Sequence, residues 1–294
     1  MQSGKIIKSI SGFYDVQLDD GSIIRTRARG NFRKQKIKPI VGDLVDFEDA
    51  YLLAVKPRKN SLVRPPVANL DVAIVVMSAV EPDFSTNLLD RYLAYLAANQ
   101  IDAVIYMSKG DLLSATQRTE IQQVLLAYER IGYTVCQNDA ESQSQLETLA
   151  ANKILIVMGQ SGAGKSTLLN RLLPDLKLET AEISSSLNRG KHTTRTVTLY
   201  PFGHNGLIAD TPGFSSLDLS EIEPTDLTQY FLEFAKIGTG CRFRGCQHIQ
   251  EPDCAVKQAV ETGEIAQFRY DNYLQLHQEL SHLRPTYRKS SKQN

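Results

Sequence analysis

The order of two motifs along the chain constrains its fold more strongly than any other sequence feature. Residues Gly159–Ser166 (GQSGAGKS) fit the phosphate-binding loop pattern, with an apolar strand-like run before them and a helical pattern after them. A guanine-reading candidate, Ser108–Asp111 (SKGD), lies upstream of this loop, whereas in an ordinary small GTPase it lies downstream. A chain that retains both motifs in reversed order is predicted to be a GTPase core with circularly permuted connectivity.

Length and composition indicate a globular protein with more than one domain. The 294 residues suffice for two domains and a small third module. Hydrophobic residues make up 42% and charged residues 22%, as in folded proteins. The apolar run Val72–Met77 is far shorter than the roughly 20 residues that span a bilayer, and Met1–Lys8 lacks a signal-peptide core. We expect a cytoplasmic protein without a membrane partner, and we take it to be a monomer.

Charge is distributed unevenly although the net charge is zero. Residues 1–66 hold 13 Lys and Arg against 7 Asp and Glu, and residues 284–294 hold four basic residues and no acidic one. Such a split suits a polyanion that is bound at both ends of the chain. A solvated basic face is the alternative interpretation.

Residues 1–66 predict a small β-barrel of the oligonucleotide-binding (OB) type, because five short runs of alternating polarity are separated by turn residues. The predicted strands are Lys5–Ile10, Tyr14–Leu18, Ile23–Arg27, Leu44–Phe47 and Tyr51–Val55. A basic loop after the third strand contains one aromatic residue available for stacking. It supplies the candidate RNA contacts Arg27, Arg29, Phe32, Arg33, Lys34 and Lys36. Residues Asn60–Pro66 are predicted to be a linker.

Residues 67–219 alternate between strand and helix patterns, which predicts a mainly parallel sheet with helices on both faces. The predicted strands are Leu70–Met77, Ala103–Met107, Lys153–Met158 and Gly206–Asp210, and the predicted helices are Asn87–Asn99, Ile121–Ile131 and Lys165–Leu173. In such folds ligands bind at the carboxyl ends of the strands, where both motifs lie. Residues 220–294 are predicted to form a helical module with a basic tail.

The phosphate loop is predicted to hold the phosphates of a nucleotide. Its glycines let backbone N–H groups point at the phosphates, Lys165 neutralises the β- and γ-phosphates, and the Ser166 hydroxyl ligates Mg²⁺. The candidate contacts are Gly159, Gln160, Ser161, Gly162, Ala163, Gly164, Lys165, Ser166 and Thr167.

Two downstream segments complete the predicted phosphate site. Asp210 ends an apolar strand and begins the sequence Asp-x-x-Gly213, so we expect it to hold Mg²⁺ while the Gly213 N–H meets the γ-phosphate. In the polar segment Leu187–Arg195, Thr193 or Thr194 is expected to complete the Mg²⁺ shell as a first switch. A basic exposed loop without this role is the alternative for that segment.

Ser108, Lys109 and Asp111 are the candidate base contacts. The Asp111 carboxylate can accept hydrogen bonds from N1–H and the exocyclic amine of guanine, which adenine does not offer in that arrangement. The Lys109 stem is expected to cover the base. Ser108 stands where GTPases usually have Asn, and because serine is shorter we expect weaker nucleotide affinity with an unchanged preference for GTP.

Catalysis needs a residue that positions water. Many GTPases have Gln after the Asp-x-x-Gly sequence, but Phe214 occupies that position and a phenyl ring cannot orient water. His192 is therefore the catalytic candidate beside Lys165, with an exposed histidine or an RNA phosphate contact as the alternative. Slow turnover that a partner accelerates follows from this arrangement.

Three cysteines and a histidine lie within fourteen residues: Cys241, Cys246, His248 and Cys254. This Cys₃His set is typical of one structural Zn²⁺ ion with four ligands. A cytoplasmic location disfavours disulfides, and three cysteines leave one unpaired. The remaining cysteine, Cys136, is predicted to be a core residue.

Together these features resemble the bacterial ribosome small-subunit-dependent GTPase A family, also called the YjeQ/YloQ family. The resemblance covers nearly the whole chain. It rests on Gly42-Asp43, Glu81–Phe84, Ser108–Asp111, Gly159–Thr167, Gly190–Thr194, Asp210–Phe214 and Cys241–Cys254. It implies a late assembly factor for the 30S subunit that binds 16S rRNA near the decoding region, uses Mg²⁺ and zinc, and hydrolyses GTP when the subunit stimulates it. It also implies that His192 is catalytic, and it places a guanine-contacting segment near Asn138–Ala140.

Two other functions remain open from the sequence. One is an RNA-binding scaffold whose nucleotide site is regulatory or weakly active, which Ser108 and Phe214 would suit. The other is an ATP-dependent enzyme that uses the same phosphate loop. Stimulation by 30S subunits distinguishes the first alternative, and competition between GTP and ATP distinguishes the second.

Overall fold

The computed structural model describes residues 1–28, 32, 37–176, 197–210 and 217–282, which belong to two compact units. The first unit comprises Met1–Phe84, Asn99–Leu125 and Tyr133–Ser215, and the second comprises Ser85–Ala98, Leu126–Gly132 and Ser216–Asn294. The domain limits expected from the sequence, 1–66, 67–219 and 220–294, remain predictions.

The N-terminal strands form the predicted five-stranded, OB-like barrel. They are β1 (Gln2–Ile10), β2 (Phe13–Gln17), β3 (Ile23–Ala28), β4 (Leu44–Glu48) and β5 (Tyr51–Val55). Their order is β1-β2-β3-β5-β4, and β4 pairs back onto β1, which closes the barrel. Alternate residues along the strands face the barrel core, including Ile6, Val16, Val45, Phe47 and Leu52.

A short hairpin replaces the predicted linker at Asn60–Pro66. Strands β6 (Ser61–Val63) and β7 (Pro66–Ala68) pair antiparallel, so the linker prediction was wrong. The Asn60 side chain exchanges two hydrogen bonds with the Leu70 backbone, at 2.8 and 2.9 Å. Such amide side chains complete the backbone pairing at the open end of a short hairpin.

The Gly42-Asp43 motif fixes the contact between barrel and hairpin. Asp43 is fully buried and accepts hydrogen bonds from the Ile40 N–H at 2.8 Å and from Arg58 Nε at 2.7 Å. Gly42 has a φ of +89°, and a Cβ there would lie 2.0 Å from the Ala68 carbonyl oxygen. Only glycine permits this approach.

The remaining strands form a mainly parallel sheet. They are β8 (Val72–Ser78), β9 (Asp102–Ser108), β10 (Thr134–Cys136), β11 (Ile154–Met158), β12 (Thr198–Pro201) and β13 (Leu207–Asp210). Their order is β10-β9-β8-β11-β13-β12, in which β12 alone is antiparallel to its neighbour in this sheet. The sequence did not predict β12, which also pairs with β1 at Lys8–Thr198 and thus joins sheet and barrel.

Seven α-helices occur among the described residues. They are α1 (Thr86–Ala98), α2 (Ala115–Ile131), α3 (Ala140–Leu149), α4 (Lys165–Leu172), α5 (Leu232–Ile237), α6 (Ala255–Glu261) and α7 (Gln267–His282). Helix α3 was not predicted because its sequence is largely polar; the Asp139 carboxylate caps it by accepting the Ser142 N–H at 2.7 Å. Within the described part of the chain, no helix is long and apolar enough to cross a membrane.

The second unit contains a buried arginine between two carboxylates. Arg269 is 1% exposed and donates to both carboxylate oxygens of Glu233, at 2.7 and 3.0 Å, and also to Asp90. Asp90 accepts two further bonds, from the Tyr128 hydroxyl at 2.6 Å and from Asn272 Nδ2 at 2.6 Å. Because Asp90 belongs to α1 and Arg269 to α7, this network holds distant parts of the sequence together.

We predict that Arg269→Met destabilises the protein by about 3–5 kcal/mol, because it leaves Asp90 and Glu233 as buried charges without a cation. Chemical denaturation followed by tyrosine fluorescence or circular dichroism measures this change. Arg242→Met is the matched control, since its ion pair with Asp253 is exposed at both ends and should contribute less than about 1 kcal/mol. Equal effects of the two substitutions would contradict the structural role of the buried network.

Candidate nucleotide-binding and metal sites

The phosphate loop has the geometry that anion binding requires. It follows β11, and Gly164 lies directly before the first residue of α4, with a φ of +93°. A Cβ at Gly159 would lie 2.2 Å from the Val76 carbonyl oxygen, so only glycine lets the loop pass over β8. The first turn of α4 presents unpaired N–H groups and the positive end of the helix dipole, both of which favour a bound phosphate.

Lys165 is held over this loop by backbone carbonyls. Its Nζ donates to the Gly159 oxygen at 2.8 Å and to the Gln160 oxygen at 2.7 Å. Burial lowers the pKa of Lys165, and no carboxylate in the described part of the chain opposes this effect. A phosphate at the loop would supply the missing counter-charge and would stabilise the ammonium form.

Ser108 ties the base-reading motif to the phosphate loop. Its side chain is buried, and its hydroxyl donates to the Ala163 carbonyl oxygen at 2.6 Å. A Cβ at Gly164 would lie 3.4 Å from the same side chain, so the two motifs are in contact. Although serine is shorter than asparagine, its side chain therefore reaches the loop. The expected weaker nucleotide affinity stays a prediction.

Lys109 and Asp111 lie on the turn that follows β9. Lys109 has a φ of +56° and donates from Nζ to the Glu81 carbonyl oxygen. Asp111 is exposed and lines a cavity of about 440 Å³, together with Asn138 and Asp139. Asn138 and Asp139 thus border the same cavity as Asp111, and the guanine contact expected of the Asn138–Ala140 segment stays a prediction.

Arg171, which sequence reasoning missed, connects the phosphate loop helix to this segment. It lies in α4 and donates to the Asn138 side-chain oxygen, to the Asp139 carbonyl oxygen and, at 3.2 Å, to Gln143 Oε1. An arginine on a helix surface gives no sequence signal for such a role, because its partners come from a distant loop.

Asp210 fits a magnesium site. It ends β13, and burial raises the pKa of its carboxyl group with no cation among the described residues to oppose this effect. A half-buried carboxylate with no side-chain partner among the described residues favours a metal ion, and Ser166 in the first turn of α4 offers a second oxygen. Several expected site residues lie outside the described ranges: His192, Thr193, Thr194, Gly213 and Phe214.

The structure describes part of the RNA surface predicted from the sequence and adds one aromatic candidate to it. Phe32 is 5% exposed, so little of its ring is free for stacking, and its assignment as an RNA contact stays a prediction. Phe13 on β2 is half-buried and lies beside Arg27, whose guanidinium carbon is 4.6 Å from the ring centroid. Phe13 is a further candidate aromatic contact. Arg29, Arg33, Lys34 and Lys36 lie outside the described residues.

The four predicted zinc ligands come together in the second unit. The ligand atoms of Cys241, Cys246, His248 and Cys254 all lie within 4.8 Å of one another. Burial raises the pKa of Cys246 to about 12, so its thiolate needs a nearby cation at neutral pH. Three soft sulfur donors and one imidazole can hold one Zn²⁺ ion.

Thr228 and Tyr270 orient the histidine of this cluster. His248 Nε2 lies 2.8 Å from Thr228 Oγ1, while Nδ1 faces the sulfur atoms of Cys241 and Cys254 at 3.6 and 3.3 Å. If Nε2–H donates to Thr228, the Nδ1 lone pair is free for a metal. Burial lowers the pKa of His248, which favours this neutral form. Tyr270 donates to the His248 carbonyl oxygen at 2.7 Å.

Comparison with known families assigns most of the chain. Residues 3–51 match the RsgA N-terminal domain, and residues 55–220 match the RsgA GTPase domain. The chain belongs to the RsgA GTPase family. Membership of this family makes it a GTP-hydrolysing enzyme.

Full-length relatives support the same assignment. A Latilactobacillus sakei protein called small ribosomal subunit biogenesis GTPase RsgA is 52% identical over 99% of this chain and 100% of its own length. An Enterococcus faecalis protein of the same name is 52% identical over 98% of each chain.

Two solved structures share the fold over nearly the whole chain. YloQ, described as a circularly permuted GTPase, has a TM-score of 0.82 and 42% identity, and the match covers 98% of this chain and 97% of YloQ. YjeQ from Thermotoga maritima has a TM-score of 0.83 and 34% identity, with 96% and 99% covered. The circularly permuted architecture predicted from the motif order is thus confirmed.

We predict that Ser108→Ala weakens binding of GDP and GTP about tenfold, because the buried Ala163 carbonyl loses its donor and the base motif loses its tie to the phosphate loop. Titration with a fluorescent guanine nucleotide measures both dissociation constants. Ser114→Ala is the control: it removes an exposed serine hydroxyl from the connection between β9 and α2 and should leave both dissociation constants unchanged. Unchanged affinity in Ser108→Ala would show that the tie does not position the base site.

We predict one Zn²⁺ ion per chain, and we expect Cys254→Ser to lose it and to lower the melting temperature of the second unit, because metal binding contributes to folding. Metal analysis and differential scanning calorimetry measure the two effects. Cys136→Ala, which changes the buried cysteine of the first unit, should retain the zinc. A wild-type protein without zinc that melts at the same temperature after chelation would refute the prediction.

Proposed function

We propose that this protein is a late assembly factor of the 30S ribosomal subunit that binds 16S rRNA and hydrolyses GTP when the subunit stimulates it. The full-length similarity to proteins named small ribosomal subunit biogenesis GTPase carries this proposal. The structure supports it with a base-reading motif that is hydrogen-bonded to a phosphate loop. Such a factor works in the cytoplasm, and we propose that it does so as a monomer.

The nucleotide would bind across the carboxyl ends of β9 and β11. Asp111 selects guanine through N1–H and the exocyclic amine, and the phosphates occupy the loop from Gly159 to Thr167. Lys165 then exchanges its backbone contacts for the β- and γ-phosphate oxygens. Ser166, Asp210 and either Thr193 or Thr194 would hold Mg²⁺, which supplies positive charge against the phosphates during transfer.

Hydrolysis requires a water molecule aligned with the γ-phosphorus atom. We assign this role to His192, because imidazole can accept a hydrogen bond from water whereas the Phe214 ring cannot. We expect slow turnover from a single histidine, and contact with the subunit would accelerate it. Gly213 would report the γ-phosphate through its backbone N–H.

The barrel supplies an RNA-binding surface in this proposal. Its outer face on β2 and β3 presents Phe13, and the guanidinium carbons of Arg27 and Arg25 lie 4.6 and 6.0 Å from the ring centroid. Asp15 pairs with Arg25 at 2.8 Å, while the described residues give the Arg27 guanidinium no carboxylate partner. Arginine planes and aromatic rings stack on unpaired bases, and arginines bind phosphates.

GTP hydrolysis with and without purified 30S subunits tests the proposal. We predict subunit stimulation of the wild-type protein, loss of at least about a hundredfold of the stimulated rate in His192→Ala, and loss of nucleotide binding in Lys165→Ala. His204→Ala, which changes another histidine of the same unit, should retain the stimulated rate. No stimulation of the wild-type protein would leave a scaffold with a regulatory nucleotide site.

Base selection has its own test. GTP should displace a fluorescent guanine nucleotide, and ATP should not. Asp111→Asn should lose GTP and gain xanthosine triphosphate, because an amide N–H can donate to the extra xanthine carbonyl. Equal affinity of the wild-type protein for ATP and GTP would instead support an ATP-dependent enzyme.

A further inference from the structure

The loop between the first two cysteines of the metal cluster carries an exposed aromatic residue. Between Cys241 and Cys246 the sequence is Arg242-Phe243-Arg244-Gly245. Phe243 is 44% exposed and is not part of the hydrophobic core of the second unit. A single exposed phenylalanine is common on protein surfaces, so exposure alone indicates nothing. The evidence for a binding role comes from the position of Phe243 in the loop and from the residues beside it.

The loop is fixed at both ends. Cys241 and Cys246 each contribute a sulfur atom to the cluster whose ligand atoms lie within 4.8 Å of one another. Gly245, at a φ of +74°, makes the sharp return toward the second cysteine. A loop of four residues held between two metal ligands loses little conformational entropy when it binds a partner. The cluster therefore presents Phe243 in a fixed position.

Both neighbours of the ring are cations. The Arg242 guanidinium carbon lies 5.5 Å from the centroid of the Phe243 ring. Arg242 also pairs with Asp253 at 2.8 Å, but the two side chains are 66% and 62% exposed, so this pair is weak and can exchange for another anion. Arg244 is exposed and has no ion pair among the described residues. An aromatic face between two available cations is complementary to a nucleobase between two phosphates.

We propose that Phe243, with Arg242 and Arg244, forms a contact for one unpaired nucleotide of the RNA partner. The base stacks on the Phe243 ring, and the two arginines bind the flanking phosphates. This inference rests on the proposed binding of ribosomal RNA and adds a second contact to that of the barrel. A protein partner would require further apolar surface around the ring, whereas the residues on either side of it are charged.

Binding of 30S subunits by Phe243 variants tests this contact. Phe243→Leu retains the apolar volume and removes the aromatic face, so we expect affinity for 30S subunits to fall about tenfold or more. Phe243→Tyr retains the face and should bind as the wild-type protein does. Leu232→Ala, which changes another exposed hydrophobic residue of the same unit, should also bind normally. Zinc content and melting temperature confirm that each variant is folded.

The outcomes separate this inference from the proposed function. If the wild-type protein does not bind 30S subunits, the proposed function fails. If it binds and Phe243→Leu binds equally well, only the stacking contact is overturned. A photoreactive benzoylphenylalanine introduced at position 243 identifies the partner class. Crosslinks to rRNA support the inference, and crosslinks confined to ribosomal proteins overturn it.

Discussion

The pairing of β8 with both of its neighbours is the constraint on which the nucleotide site depends. One edge of β8 pairs in parallel with β9, which ends at Ser108, and the other pairs in parallel with β11, which leads into the phosphate loop. Because all three strands run in the same direction, both motifs emerge at the same end of the sheet. The hydrogen bond from Ser108 to Ala163 then joins them.

This pairing also explains why the motif order can be reversed without loss of the site. The site requires that its strands lie in the correct spatial order within the sheet. It does not require that these strands follow one another in a particular order along the chain. Here the strand with the base motif precedes the strand with the phosphate loop, yet both flank β8. The permutation therefore changes what precedes and follows the site along the chain, while the site itself keeps its neighbours.

The second unit depends on two kinds of interaction besides its hydrophobic core. The buried Arg269 compensates two carboxylates, and the cysteine–histidine cluster offers four ligands for a metal ion. Their chemistry differs. In a buried ion pair each charge offsets the cost of removing the opposite charge from water, whereas in a zinc site the free energy of metal binding adds to the free energy of folding. A metal ion held by this cluster would also fix the exposed loop between Cys241 and Cys246, which a hydrophobic core could not do with so few residues.

Most strands and helices followed from local patterns. The barrel strands alternate in polarity, and the central strands of the parallel sheet are continuous apolar runs, so each was predictable. The β6–β7 hairpin was predicted to be a linker because of Pro65 and Pro66. The hydrogen bonds that complete this hairpin come from the side chains of asparagines outside its strands, and no strand pattern in the sequence indicates them. Strand β12 was missed because it is short and gains its hydrogen bonds from β13 and β1.

The sequence by itself determined the chemical groups: the glycines, lysine and hydroxyls of the phosphate loop, the Asp111 carboxylate, and the three cysteines with one histidine. Only the tertiary structure decided which groups meet. Phe32 is buried while Phe13 lies beside an arginine, Asp90 on an amphipathic helix pairs with Arg269, and Arg171 holds the Asn138 loop. These contacts join residues far apart in sequence, and their hydrogen bonds depend on backbone positions that no local pattern specifies.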